Sequence, residues 1–366
     1  MKYEFKDQNE EEKLNLISFN KAIAQNQIGT FDVYTGNRKL LSDGKGTLFI
    51  YFQGIEIKCG IDDRVGNSAI SWIEESLFPA FPEVQDKTAK LPIEHLAKKI
   101  GFDHFITFNF PEELTANGFA ISMNNLLSYL EQNNFVTVLS AFSTGATLMA
   151  EWLLSAINNK DFKNLSIFSE KITRVIMAGG LFEPKDLERK AYLAGKYLIK
   201  FPERIIKRLP LINRNPFIKR AGGAKEMFYR VKYLFSIRNK EIIEKMSEQE
   251  WINAGEIFKK NQDFQLIFLA DTGQRIVLPS GAGKWYQVMY KNLGSQVKGL
   301  VAKNVEKGWI DYPVSKHEEV KNLWTLLSLI GTSPNLRKDL NFSLMSTQIA
   351  DEWPKYRFIH MARGPI

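Results

Sequence analysis

Residues 135–157 read FVTVLSAFSTGATLMAEWLLSAI, and the junction inside this stretch decides the fold. Residues 135–140 (FVTVLS) form a short apolar run of the kind that fills a strand buried on both faces. From Ala146 onward the apolar residues recur with a helical period. Between the two lies Ala141-Phe142-Ser143-Thr144-Gly145. A serine placed on so tight a strand-to-helix bend points its hydroxyl out of the backbone. Small residues two before and two after it let strand and helix pass closely. Glycine usually fills both places; here Ala141 takes the first, and its small Cβ is tolerated. Ser143 is therefore read as a nucleophile, with a simple helix-capping serine as the alternative.

Working outward, further apolar runs appear at 47–52 (TLFIYF), 104–110 (HFITFNF), 172–178 (ITRVIMA), 264–269 (FQLIFL) and, more weakly, 297–302 (VKGLVA). Helical patterns separate them at 68–78, 117–132, 146–157 and 316–330. Short antiparallel strands are expected before residue 47, where glycines punctuate an apolar pattern. Strands alternating with helices at this spacing predict an α/β fold with a mostly parallel sheet flanked by helices. The exception is 184–263, where no strand pattern occurs. There, amphipathic pieces (AYLAGKYLIKFPERIIKRLP, EMFYRVKYLFSI) are interrupted by prolines and glycines. The expected organisation is a core of 1–183 and 264–366 with a helical insertion at 184–263.

The 366 residues are 44% hydrophobic and 25% charged, the composition of a globular protein. The single cysteine, Cys59, excludes an internal disulfide and is read as a buried thiol. The N-terminal MKYEFKDQNEEEKLN has no apolar core of a signal sequence, and no window is apolar enough to span a bilayer. A soluble, cytoplasmic protein is the expectation. The net charge of +8 is uneven: Pro184 to Lys245 holds 17 Lys or Arg against six Asp or Glu, leaving the remainder slightly acidic. Such a segment suits peripheral contact with an anionic membrane surface. Nucleic acid is not expected as a partner, because no finger spacing, RNP-like strand or helix-turn-helix pattern accompanies the charge. No Cys/His spacing suggests a metal site, and no cofactor is implied. Pro279-Ser-Gly-Ala-Gly-Lys284 superficially resembles a phosphate loop. It lacks the first glycine (Leu278 stands there) and the hydroxyl after the lysine (Trp285).

A serine nucleophile needs an imidazole downstream of it when the order is Ser, acid, His. Of His95, His104, His317 and His360, only the last two follow Ser143. His317, just ahead of the final helical pattern, is favoured.

Over roughly 45–330, leaving out the insertion, the order of elements resembles the α/β-hydrolase superfamily. The resemblance implies a serine carboxylic-ester hydrolase of the esterase or lipase kind, in which His317 is the general base. It implies an oxyanion hole from the main-chain N–H of Thr144 and of Gly54 or Ile55. Gln53-Gly54 occupies the place where the family usually has His-Gly. The acid turn is less regular. Over 266–279 (LIFLADTGQRIVLP), Gln274 falls where the family's aspartate is expected, leaving Asp271 as first choice. Glu183, and after it Asp186, are alternatives at the end of the preceding strand. The insertion corresponds to a lid, and an acyl or lipid ester is the implied substrate. The competing reading is a catalytically inactive binding or interaction module on the same fold.

Overall fold

A computed structural model describes residues 29–35, 37–52, 54, 103–111, 113–200, 202, 223–271 and 277–302. The expected strands are present as β1 (Thr30–Thr35), β2 (Lys45–Phe52), β3 (His104–Asn109), β4 (Asn134–Phe142), β5 (Ile172–Ala178), β6 (Gln265–Asp271) and β7 (Val297–Ala302). They form one sheet in the order β1-β3-β2-β4-β5-β6-β7. β1 runs antiparallel to β3, and all other pairs are parallel. This is the mostly parallel α/β sheet that the apolar runs predicted. In β2 and β4 the exposed positions lie near the N-terminal ends, and the C-terminal halves are wholly buried.

The helices are α1 (Arg38–Ser42), α2 (Ala116–Glu131), α3 (Thr144–Asn158), α4 (Phe162–Lys171), α5 (Arg189–Leu198), α6 (Ala224–Ser236), α7 (Asn239–Lys245), α8 (Glu248–Lys260) and α9 (Pro279–Leu293). Helix starts follow local chemistry. Thr115 Oγ1 accepts the Gly118 N–H at α2, and Ser247 and Glu250 form a reciprocal capping box at α8. Pro279 stands in the first turn of α9, where its missing N–H costs nothing. The phosphate-loop lookalike is thus the beginning of a helix. The predicted helices at 68–78 and 316–330, and Cys59, lie outside the described residues.

Within the 184–263 segment, α8 packs against helices of the core, α3, α4 and α9. Trp251, Ala254 and Phe258 are buried in the main core, and the Phe258 ring stacks on Phe264, 5.0 Å between centroids. Among the contacts that tie the described residues of 184–247 to the core are two made by α6. The Tyr233 hydroxyl of α6 donates to Glu151 of α3. Arg230, fully buried, lies 5.3 Å over the Phe110 ring and donates to the Pro111 carbonyl at 3.3 Å, in the segment leaving β3.

The sheet order positions the site. From β2 the chain crosses to β3 on one side, then returns to form β4 on the other side of β2. The carboxyl ends of β2 and β4 flank the switch point, where an α/β sheet opens a crevice.

Candidate active site

Ser143 stands at that switch point, between the last residue of β4 and the first of α3. Its backbone takes φ 52° and ψ −114°, and it is one of two non-glycine residues with positive φ among those described. Such a conformation costs on the order of 1–3 kcal/mol, so the surroundings must hold it. The Ser143 N–H donates to the Ala178 carbonyl at 2.8 Å, at the end of β5. Its carbonyl accepts two bonds from Thr147, from the N–H and from Oγ1, each at 3.0 Å. The same Thr147 hydroxyl accepts the Leu181 N–H at 2.9 Å. One buried hydroxyl therefore joins the serine bend to the turn after β5. Gly180 of that turn comes so near α3 that a Cβ on it would lie 3.2 Å from Ala146 Cβ.

The Ser143 side chain makes no capping bond to α3, which removes the simple capping role. The residue is only 7% exposed. Thr144 is the first residue of α3, so its N–H has no acceptor within the helix, and the positive end of the helix dipole is centred there. Phe52 is paired with Ala141 across β2 and β4, so buried Gly54, two residues on, is level with Ser143. The structure thus brings Ser143, Thr144 and Gly54 to one edge of the sheet. Gln53 and Ile55 lie outside the described residues.

His317 also lies outside the described residues, as do His95 and His360. His104 is described, and its role is structural. Nδ1 is 2.7 Å from Thr35 Oγ1 and Nε2 is 2.8 Å from the Lys45 carbonyl. Burial lowers its pKa, against opposing effects of that carbonyl and of Asp103. It is paired with Leu48, which faces Thr137 on β4. At strand rise this puts it about 20 Å short of the Ser143 end of the sheet.

Of the acid candidates, Asp271 ends β6, with its backbone paired to Ala302; its carboxylate lies outside what the structure describes, as does Gln274. Glu183 and Asp186 are described, and both are engaged by α9. Asp186 is 1% exposed. Its Oδ1 accepts from Lys284 Nζ (2.6 Å) and Ser280 Oγ (3.0 Å); Oδ2 accepts the N–H groups of Glu183 (2.9 Å) and Phe182 (3.1 Å). Glu183 Oε1 accepts from the same Nζ at 2.6 Å. The Lys284 hydrogen bond holds Glu183 below its usual range, burial opposing it. Burial alone would lower Lys284, but Asp186 and Glu183 together raise it.

This lock was not anticipated from sequence, although Ser280 and Lys284 share a helix face at i, i+4. It has close backbone support. A Cβ on Gly281 would stand 2.7 Å from the Gly180 carbonyl, and Leu187 bridges to Val277. Among the described residues no group of His, Cys, Asp or Glu could hold a metal ion, and no helix is long and apolar enough to cross a membrane.

No protein-family model matches the sequence, and no curated protein matches it. Solved structures do. MGS-M2, an alpha/beta hydrolase enzyme from a Medee basin deep-sea metagenome library, is 9% identical over 83% of this chain and 95% of its own, with a TM-score of 0.41. A lipase-esterase related protein from Clostridium acetobutylicum is 10% identical over 86% of this chain and 100% of its own, TM-score 0.41. A Paleococcus ferrophilus monoacylglycerol lipase is 10% identical over 82% of this chain and 99% of its own, TM-score 0.36. Similarity at this level carries no argument about substrate or catalytic residues; those rest on the bend at Ser143 and its neighbours.

Proposed function

We propose that this mostly parallel α/β sheet carries a serine hydrolase of the α/β-hydrolase kind, which cleaves carboxylic esters of acyl or lipid substrates through an acyl-enzyme. The observation that carries the reading is the strained backbone of Ser143, at the switch point and with its side chain unused as a cap. A residue that served only to start a helix would adopt the extended conformation without strain.

In the proposed reaction Ser143 Oγ attacks the ester carbonyl while His317 takes its proton. Oxygen charge in the tetrahedral intermediate is held by the N–H of Thr144 and by that of Gly54 or Ile55. Such donors act without reorganising, and losing one typically costs about 10²–10³ in rate. His317 then protonates the departing alcohol, and water enters by the reverse sequence to release the acid. Asp271 is the proposed orienter of the imidazole. Glu183 and Asp186 are disfavoured because Lys284 and backbone N–H groups already occupy their carboxylates. The cap is proposed to comprise 184–247, with α8 left to the core.

The test is hydrolysis of p-nitrophenyl esters of graded acyl length. Wild type is expected to turn over, with a preference for longer chains. Ser143→Ala and His317→Ala should each fall to background while keeping wild-type circular dichroism. Equal rates in Ser143→Ala and wild type end the proposal, and a folded wild type inert to every ester favours the binding-module reading.

A further inference from the structure

Helix α5 has two apolar faces, and among the described residues only one of them packs against another helix. Inward, Gly195 is buried, and a Cβ there would stand 2.5 Å from Phe235 Cε2 of α6. Tyr192 packs its ring on Phe235, 5.4 Å between centroids. Outward, Leu193 is 40% exposed and Tyr197 62% exposed, one helical turn apart on the same side. The other exposed large apolar residues among those described, Val136, Ile252, Leu278 and Tyr290, do not pair up in this way.

Exposed cations flank the helix, with Lys196 Nζ lying 6.0 Å from the centre of the inward Tyr192 ring. Residues 189–200 contain Arg189, Lys190, Lys196 and Lys200 and no acidic residue, and all four cations are exposed. Lys200 Nζ lies over the Tyr197 ring, 5.8 Å from its centre, so a positive charge accompanies the exposed apolar pair.

We propose that the α5 face is a docking surface for an anionic lipid bilayer, with Leu193 and Tyr197 entering the headgroup boundary and the four cations meeting lipid phosphates. The physical case is complementarity on two counts. A leucine and a tyrosine one turn apart offer a small apolar wedge with a polar tip, which suits the interface between headgroups and acyl chains. Pro184 to Lys245, the segment that contains α5, holds 17 Lys or Arg against six Asp or Glu, and the rest of the chain is slightly negative, so an anionic surface attracts the side of the molecule that carries this segment. A nucleic-acid phosphate backbone would satisfy the cations but gives Leu193 no apolar partner. The inference is independent of the reaction at Ser143.

The experiment is co-sedimentation of the full chain with phosphatidylcholine vesicles, with and without roughly 30 mol% phosphatidylglycerol. Wild type should pellet with the anionic vesicles and stay in solution with the neutral ones. Lys196→Gln/Lys200→Gln should weaken binding about 25-fold, at about fivefold per cation near an anionic surface. Leu193→Ser/Tyr197→Ser should weaken it at least tenfold at low salt and abolish what survives at high salt. All four positions are exposed, so circular dichroism should not change. The proposal is overturned if wild type ignores anionic vesicles or if the Leu193/Tyr197 variant binds like wild type. It is equally overturned if duplex DNA competes fully while neither apolar substitution affects vesicle binding.

Discussion

Replacing Thr147 with valine removes one hydroxyl and leaves a side chain of nearly the same shape. In the folded protein that hydroxyl donates to the Ser143 carbonyl at 3.0 Å and accepts the Leu181 N–H at 2.9 Å, and the residue is fully buried. The Ser143 carbonyl keeps a second donor, the Thr147 N–H at 3.0 Å. The Leu181 N–H loses the acceptor it has. A buried donor stranded in this way costs about 1–3 kcal/mol, so Thr147→Val should be destabilised by about 2 kcal/mol. Thr147→Ser keeps both bonds and loses a methyl group, at a cost of about 1 kcal/mol. Urea denaturation followed by tryptophan fluorescence separates the two. The valine variant should also react more slowly at Ser143, by about tenfold, because small displacements of a nucleophile are expensive. A valine variant as stable as wild type, or more stable than the serine variant, would refute the claim that this hydroxyl holds the bend.

Three further outcomes are expected. Lys284→Met leaves the buried Asp186 carboxylate without its cation and should cost about 3–5 kcal/mol, most of it recovered in Lys284→Met/Asp186→Asn; a single variant within 1 kcal/mol of wild type in denaturant would contradict the lock. Burial raises Glu151 from 4.5 to about 7, with the Tyr233 hydrogen bond opposing, although the residue as a whole keeps some exposure. The folded state then holds a proton that the unfolded chain releases near pH 4.5, so this group's stabilisation falls as pH rises through that window. Glu151→Gln should match wild type near pH 5 and exceed it at pH 8, by at most about 3 kcal/mol in denaturation curves; a wild-type profile in the variant would count against an enclosed carboxyl. For the acid, Glu183→Gln should retain ester turnover within about threefold, whereas Asp271→Asn should lose about 10³–10⁴ in kcat; the opposite ranking would move the acid to the β5 end.

The sheet was legible in the sequence because parallel strands covered on both faces become unbroken apolar runs. TLFIYF, FVTVLS and ITRVIMA each mark a strand whose C-terminal half is buried. The bend at Ser143 was legible for a related reason, since a buried strand running straight into an apolar helix leaves no room for a loop. Two core-packed helices were not read as such from the sequence. In α9, Ala282, Trp285, Tyr286, Met289 and Leu293 are all buried, at i, i+3, i+4, i+7 and i+11. That stripe is present in the sequence but begins under a glycine-rich start that resembled a phosphate loop. In α8, Trp251, Ala254 and Phe258 form the stripe, and the absence of any strand pattern from 184 to 263 placed it with the insertion. The lock of Asp186 on Lys284 could not be read at all, since it joins residues 98 apart through a tertiary contact that no local spacing encodes.

The central claim is that Ser143 is a nucleophile, and covalent capture tests it most directly. Wild-type protein should gain the mass of one fluorophosphonate adduct, mapped to Ser143 in the peptide spanning 135–157, and Ser143→Ala should gain none. An adduct on another residue, or a folded wild type that stays unmodified, would contradict the account.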